Sequence, residues 1–173
     1  MNHHRHLISD DLAAILALEA PRRTQRPLLW TRRKRSSERS GGAIAVGPFI
    51  VTDGNLADAP PDVRRAVIAH ELGHIRRGHT AAMAGAFVLL LFYALSSLTN
   101  PPTVGWVIVN CTLLAGLASL ALWATRPARE LEADDYAASL VGPVAVAEAL
   151  RWSLAGETAS PLVLRRLEAL AGR

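Results

Sequence analysis

The chain is 173 residues long, half of them hydrophobic and only 20% charged, which excludes a disordered or low-complexity protein and fits one domain with a real core. Its formal charge of +4 comes from 19 basic against 15 acidic residues, with Lys34 the sole lysine, an arginine bias that reads as genomic rather than functional. One cysteine, Cys111, excludes an intramolecular disulfide framework and a cysteine-based zinc knuckle, so a metal site here has to be built from histidine and carboxylate.

At the start, His3, His4 and His6 sit at an unanchored terminus where disorder is a plainer reading than metal binding, and no cleavable signal peptide is visible. Ser9-Asp10-Asp11 followed by Leu12, Ile15, Leu16 and Leu18 predicts a short helix to about Glu19, ended by Pro21. Residues 22–42 form a basic, flexible stretch in which Leu28-Leu29-Trp30 reads as a strand. Beside a membrane such a run can touch anionic headgroups, whereas nucleic acid is not expected, because no aromatic-basic interleaving accompanies it. Ala43-Ile44-Ala45-Val46 and Phe49-Ile50-Val51, joined by Gly47-Pro48, predict two short strands and a tight turn. Asp58-Ala59-Pro60-Pro61-Asp62 then supplies a helix start, with proline in the first turn and an acid at the positive end of the dipole.

From Thr80 to Thr125 there are 46 residues without a charge, interrupted by Thr99-Asn100-Pro101-Pro102-Thr103. Segments 81–98 and 104–125 each approach the roughly 20 residues a helix needs to cross about 30 Å of hydrocarbon, and they predict a transmembrane hairpin in a lipid bilayer. Arg76, Arg77 and His79 precede it, and Arg126 and Arg129 follow it, which places both termini and the intervening chemistry in the cytoplasm. Cys111 reads as an inert apolar residue inside the second span. Pro127 opens another helix to about Val141, stopped by Gly142-Pro143, and further helices are predicted near Val144–Leu154 and Pro161–Leu170. No repeat and no second domain is visible, so residues 1–173 read as a single domain.

The chemistry resides in His70-Glu71-Leu72-Gly73-His74. Residues four apart on a helix share a face, so His70 and His74 can bind one metal ion while Glu71 beside them takes a proton from water. A catalytic zinc site needs a third protein ligand, and Glu130, Glu132, Asp134 and Asp135 are the carboxylates offered after the hairpin. Glu130 and Asp134 share a face. Glu130 is therefore expected as the ligand and Asp134 as the group that accepts the free N–H of a zinc-bound imidazole, with Glu132 and Asp135 pointing elsewhere. His79 reads as a side chain at the membrane interface rather than a ligand.

This order of pieces resembles the M48 family of integral-membrane zinc metallopeptidases, in a short version. The resemblance rests on Ala69-His70-Glu71-Leu72-Gly73-His74 with Arg77-Gly78-His79, on Arg129-Glu130-Leu131-Glu132-Ala133-Asp134, which matches the family's ExxxD pattern, and more loosely on Gly42–Gly47 and Ile50–Gly54. It covers about Leu28 to Leu170. It implies an α+β, mainly helical fold with a zincin-like HExxH helix, an ExxxD helix, a small sheet and the transmembrane hairpin. It also implies one Zn2+ per chain on His70, His74 and Glu130, Glu71 as general base, and peptide-bond hydrolysis on the cytoplasmic side of a bacterial inner (plasma) membrane, in membrane-protein quality control. One departure is plain: a His-Pro segment expected near the C-terminus is Ala159-Ser160-Pro161 here, which leaves the transition-state donor unassigned. Tyr136, Arg165 and Arg166 are the candidates, although packing for Tyr136 and solvated surface for the arginines are the plainer readings. Ala43, Ile44, Ala45 and Val46 are the candidate edge strand for an extended polypeptide substrate. The rival readings are an M56-like regulatory protease with one dedicated partner and a silent zinc-binding membrane scaffold.

Overall fold

A computed structural model of the chain describes residues 2–19, 27–32, 42–99, 103–124, 127–154 and 158–173. In the first helix, α1 (Asn2–Leu18), Ile8, Leu12 and Ile15 recur at helical spacing and are buried together. The helix begins earlier than Ser9, so His6, expected in a disordered tail, stands on its exposed side.

Strands β1 (Leu28–Arg32), β2 (Ala43–Val46) and β3 (Phe49–Asp53) make a sheet of order β1-β3-β2. β1 runs parallel to β3 with Leu28 opposite Phe49, and β2 runs antiparallel with Val46 opposite Phe49. Part of the stretch expected to be flexible, 28–32, is thus the parallel edge of the sheet; 22–26 and 33–41 lie outside the described residues. Gly47 turns the β2–β3 hairpin at φ 56°, a left-handed conformation that glycine adopts without strain. β2 is the other edge. Because the Asp53 amide donates to the Gly42 carbonyl at 2.8 Å, the alternation of an antiparallel ladder makes Ile44 and Val46 the residues bonded to β3. The peptide groups of Ala43 and Ala45 therefore point toward the open edge.

A 3-10 turn, Gly54–Asp58, capped by the Asp53 carboxylate, leads into the central helix α2 (Pro61–Arg76). Its Val63, Ala66, Ile68, Ala69 and Leu72 are buried among α1, the sheet and three later helices, α5 (Pro127–Val141), α6 (Pro143–Ser153) and α7 (Pro161–Ala171), which contribute Ala133, Ala137, Val146, Leu150 and Leu170. α2 and α5 meet through small residues. A Cβ built on Gly73 would lie 3.0 Å from both Cα and O of Ala133 and 3.3 Å from Cβ of Tyr136, so the two helices are as close as a glycine permits. Charged contacts tie α1 to α2: Arg64 and Arg65 donate to Asp11 at 2.7 and 3.1 Å, and Arg76 donates to Glu19, just past the end of α1, at 2.8 Å.

Between α2 and α5 the chain forms an apolar helical hairpin, α3 (His79–Thr99) and α4 (Val104–Ala124), whose helices pack on each other. Among the described residues no helix is long and apolar enough to cross a membrane. The expected hairpin is therefore present as helices, while the expected transmembrane spans at 81–98 and 104–125 are not carried by the described residues. Its surface is notably apolar: Phe87 is 67% exposed, Phe92 64%, Val104 78% and Ile108 61%.

Candidate metal centre

α2 turns His70 and His74 to one side, and the close approach of α5 brings Glu130 to meet them. The two Nε2 atoms are 3.1 Å apart, and the Glu130 carboxylate oxygens lie 3.4 Å from each. Donors held tetrahedrally at zinc bond lengths of about 2.0–2.2 Å are separated by roughly 3.3–3.6 Å. The two imidazole–carboxylate separations, one to each Glu130 oxygen, fall in that range and the Nε2 pair stands slightly inside it, and with this donor type the three residues form a group that can hold a metal.

Each imidazole is oriented through its other nitrogen. His70 Nδ1–H faces Asp134 Oδ1 at 2.8 Å, and Asp134 accepts from Arg166 Nε at 2.6 Å and Nη2 at 2.8 Å. Arg166 Nη1 also lies 3.1 Å from Glu130 Oε2, so one guanidinium braces the ligand and the carboxylate behind the histidine. Its Nη2 is 3.4 Å from His70 Nδ1, but that nitrogen donates to Asp134 and cannot also accept. His74 is held by a second relay: its Nδ1 is 2.9 Å from His79 Nδ1, and His79 Nε2 is 3.2 Å from Glu132 Oε2. The carboxylate accepts from His79 Nε2–H, so His79 Nδ1 accepts from His74 Nδ1–H. His74 Nε2 then keeps its lone pair for a metal. Gly78, at φ 74°, is the left-handed turn that ends α2 and starts α3 so that His79 folds back on His74.

Electrostatics follow from burial among these charges. Burial pushes the Glu71 carboxyl up to about 7, against the pull of His70 and of the Ala45 backbone N–H that it accepts from. Burial disfavours charge on His70, yet hydrogen bonds to Asp134 and Glu130 and the nearby Glu71 lift it to about 9. His74 is held down to about 4 by burial and by His70, and Glu130 to about 2 by its bond to His70. Burial would raise Asp134, but Arg166 and His70 outweigh it and hold that carboxyl low.

The donors lie between two cavities. The larger, about 660 Å³, is walled by Ile44 and Val46 of β2 and by Ala84, Phe87 and Val88 of α3. The smaller, about 250 Å³, continues past Ala43 toward Ser153 and Arg166. His70, Glu71 and Glu130 border both.

Of the residues singled out in the sequence, His70, Glu71, His74, Glu130, Asp134 and Arg166 are brought together, and Ala43–Val46 run alongside. Arg166, whose plainer reading was solvated surface, is instead an inward brace; Arg165 stays exposed and borders neither cavity. Tyr136 donates its hydroxyl to Glu19, and it too borders neither cavity. Glu132 and His79, which were expected to point elsewhere and to sit at an interface, form the second relay, and His79 is only 6% exposed. Asp135 pairs with Arg173, away from the donors.

Compared with known protein families, residues 40–173 match Peptidase family M48. No curated protein and no solved structure matches the chain.

Proposed function

Because the chain belongs to peptidase family M48 it is a metallopeptidase, and we propose that it is a zinc endopeptidase, with one ion per chain, that cuts polypeptides at the cytoplasmic face of a membrane in membrane-protein quality control. The observation that carries this reading is the donor triangle of His70, His74 and Glu130, with Glu71 buried next to it and a cleft bounded by an open strand edge. A zinc ion bound there supplies Lewis acidity to a scissile carbonyl and to water. Glu71, whose carboxyl is raised by burial next to these donors, is placed to accept a proton from water and return it to the leaving amine. The Ala45 N–H fixes that carboxylate against β2, so the proton-transfer group and the strand edge share one register. The outward N–H and C=O of Ala43 and the C=O of Ala45, whose N–H is taken by Glu71, give an extended substrate backbone partners, while its side chains fall into the two cavities.

Membrane attachment through the hairpin is supported by the 46-residue uncharged run and its basic flanks, and by the outward apolar side chains of α3 and α4. The exposed Thr112 hydroxyl on α4 turns back on its own helix, donating to the Ile108 carbonyl at 3.0 Å, as a lipid-facing side chain requires.

Two experiments test the reading. Metal content and cleavage of an unfolded protein in detergent are compared for the natural chain and Glu71→Gln: both are expected to bind about one zinc, and only the natural chain to cleave, sensitively to chelator. Zinc-free folded protein refutes the site, and zinc-loaded protein without cleavage refutes the peptidase role. For the membrane, Cys111, exposed on α4, is expected to resist an impermeant maleimide in intact vesicles and to react once denatured, with the chain resisting carbonate extraction. Labelling in intact vesicles or release by carbonate refutes insertion.

A further inference from the structure

The larger cavity does more than expose the metal donors. Ala84, Phe87 and Val88 stand three and four residues apart on α3 and line it together, so they form one helix face turned to the cleft. Opposite them stand Ile44 and Val46 of β2, which alternate with the inward Ala43 and Ala45. These side chains are largely uncovered: Phe87 is 67% exposed, Val88 63%, Ile44 59% and Val46 54%. Across the metal donors the second cavity is smaller, about 250 Å³, and adds Ser153 and Arg166 to walls of Val67, Val146 and Leu150, so the larger apolar space is the one facing α3.

We infer that Ala84, Phe87 and Val88, facing Ile44 and Val46, form the subsite that selects the substrate: an extended polypeptide segment carrying a bulky aliphatic or aromatic side chain next to the scissile bond. The inference rests on the peptidase reading. The occupant follows from continuity, because Glu71 and the metal donors border the same cavity and the strand edge beside it offers the peptide groups of Ala43 and the Ala45 carbonyl. A strand laid along β2 turns every second side chain one way, and on this side the first surface it meets is the α3 face. That wall belongs to the apolar hairpin, so the segments best placed to enter are those flanking or leaving a membrane.

The test uses the zinc-loaded full chain in detergent micelles and internally quenched peptides that differ only in one residue beside the cut, Leu, Phe, Ser or Asp. The Leu and Phe peptides are expected to exceed the Ser peptide about tenfold or more in kcat/KM, the scale on which an apolar pocket separates side chains. Phe87→Ala narrows that ratio, and Ile44→Lys reverses the order of the Leu and Asp peptides. The same peptides, dye-labelled, are titrated by anisotropy into Glu71→Gln, which reads the preference without turnover. Equal Kd across the set, or variants that change every peptide alike, overturn the subsite and leave these walls to lipid or packing. A graded Kd with no cleavage by the natural chain leaves the subsite standing and refutes the peptidase reading instead.

Discussion

Replacing Gly73 with alanine sets two effects of opposite sign against each other. In a helix interior alanine is favoured over glycine by about 1 kcal/mol, so with open space beside it the variant would be more stable. The space is not open: the new methyl would meet Ala133 Cα and O at 3.0 Å, where ordinary contact begins near 3.4 Å. Both neighbours are backbone, which no rotamer change can move, so α5 as a whole must retreat by several tenths of an ångström. Overpacking of this kind costs about 1–3 kcal/mol, and the net effect is a loss of up to about 2 kcal/mol. The same shift carries Glu130 away from the two imidazoles. Metal–ligand bonds hold to within about 0.2 Å, so zinc affinity is expected to fall at least tenfold. Urea unfolding of the metal-free protein reads the first effect and competition with a chelating dye the second. A variant that is more stable than the natural chain and binds zinc within twofold of it would refute the close-packing argument.

His79→Ala and Glu132→Gln are each expected to weaken zinc binding by about 10–100-fold while leaving the fold intact, the usual consequence of losing a ligand's orienting partner; unchanged dissociation constants by chelator competition would remove the second relay. Arg166→Leu takes the guanidinium from the Asp134 carboxylate, whose side chain is 2% exposed, and leaves it to His70, which should cost about 3 kcal/mol in denaturant unfolding, with partial recovery on adding Asp134→Asn. Zinc must displace the proton that His70 holds up to about 9, so calorimetry in buffers of differing ionisation heat should show at least one proton released per ion at pH 8; proton-neutral binding would contradict that assignment. The sign for stability is the same: with a folded value above the ordinary 6.5, His70 stabilises the metal-free fold below pH 6.5 and loses that contribution as pH rises through about 9.

What could be read from the sequence was what helical periodicity fixes. The four-residue spacings of His70 and His74 and of Glu130 and Asp134 placed each pair on one face, and the apolar pattern bounded the helices around them. Arg166 was legible only as a candidate transition-state donor, and its place as a brace on Asp134 and Glu130 was not, because it reaches the site from α7, beside an Arg165 that really is exposed. Its signal was phase, since Val163, Arg166, Leu167 and Leu170 share the inward face of that helix. Glu132 escaped for a different reason. Two residues from Glu130 it faces away from the metal on any helical wheel, and only the left-handed turn at Gly78 brings His79 round to meet it. Nor does local pattern reveal that Leu28–Arg32 pairs in parallel with β3, a contact across intervening chain set by tertiary packing.

The part of the chain that resembles its family and the part that folds have different boundaries. α1 and β1 precede residue 40, where the family match begins, yet Ile8, Leu12 and Ile15 are fully or almost fully buried against the shared helices. Asp11 and Glu19 hold the guanidiniums of Arg64 and Arg76 on the helix that carries the histidines. A fragment trimmed to the shared stretch would keep every metal donor and lose the counter-charges of that helix, a sheet edge and a wall of the core. The catalytic motif is inherited as a sequence, but in this molecule it is kept in place by an N-terminal scaffold that a family-based excision would discard.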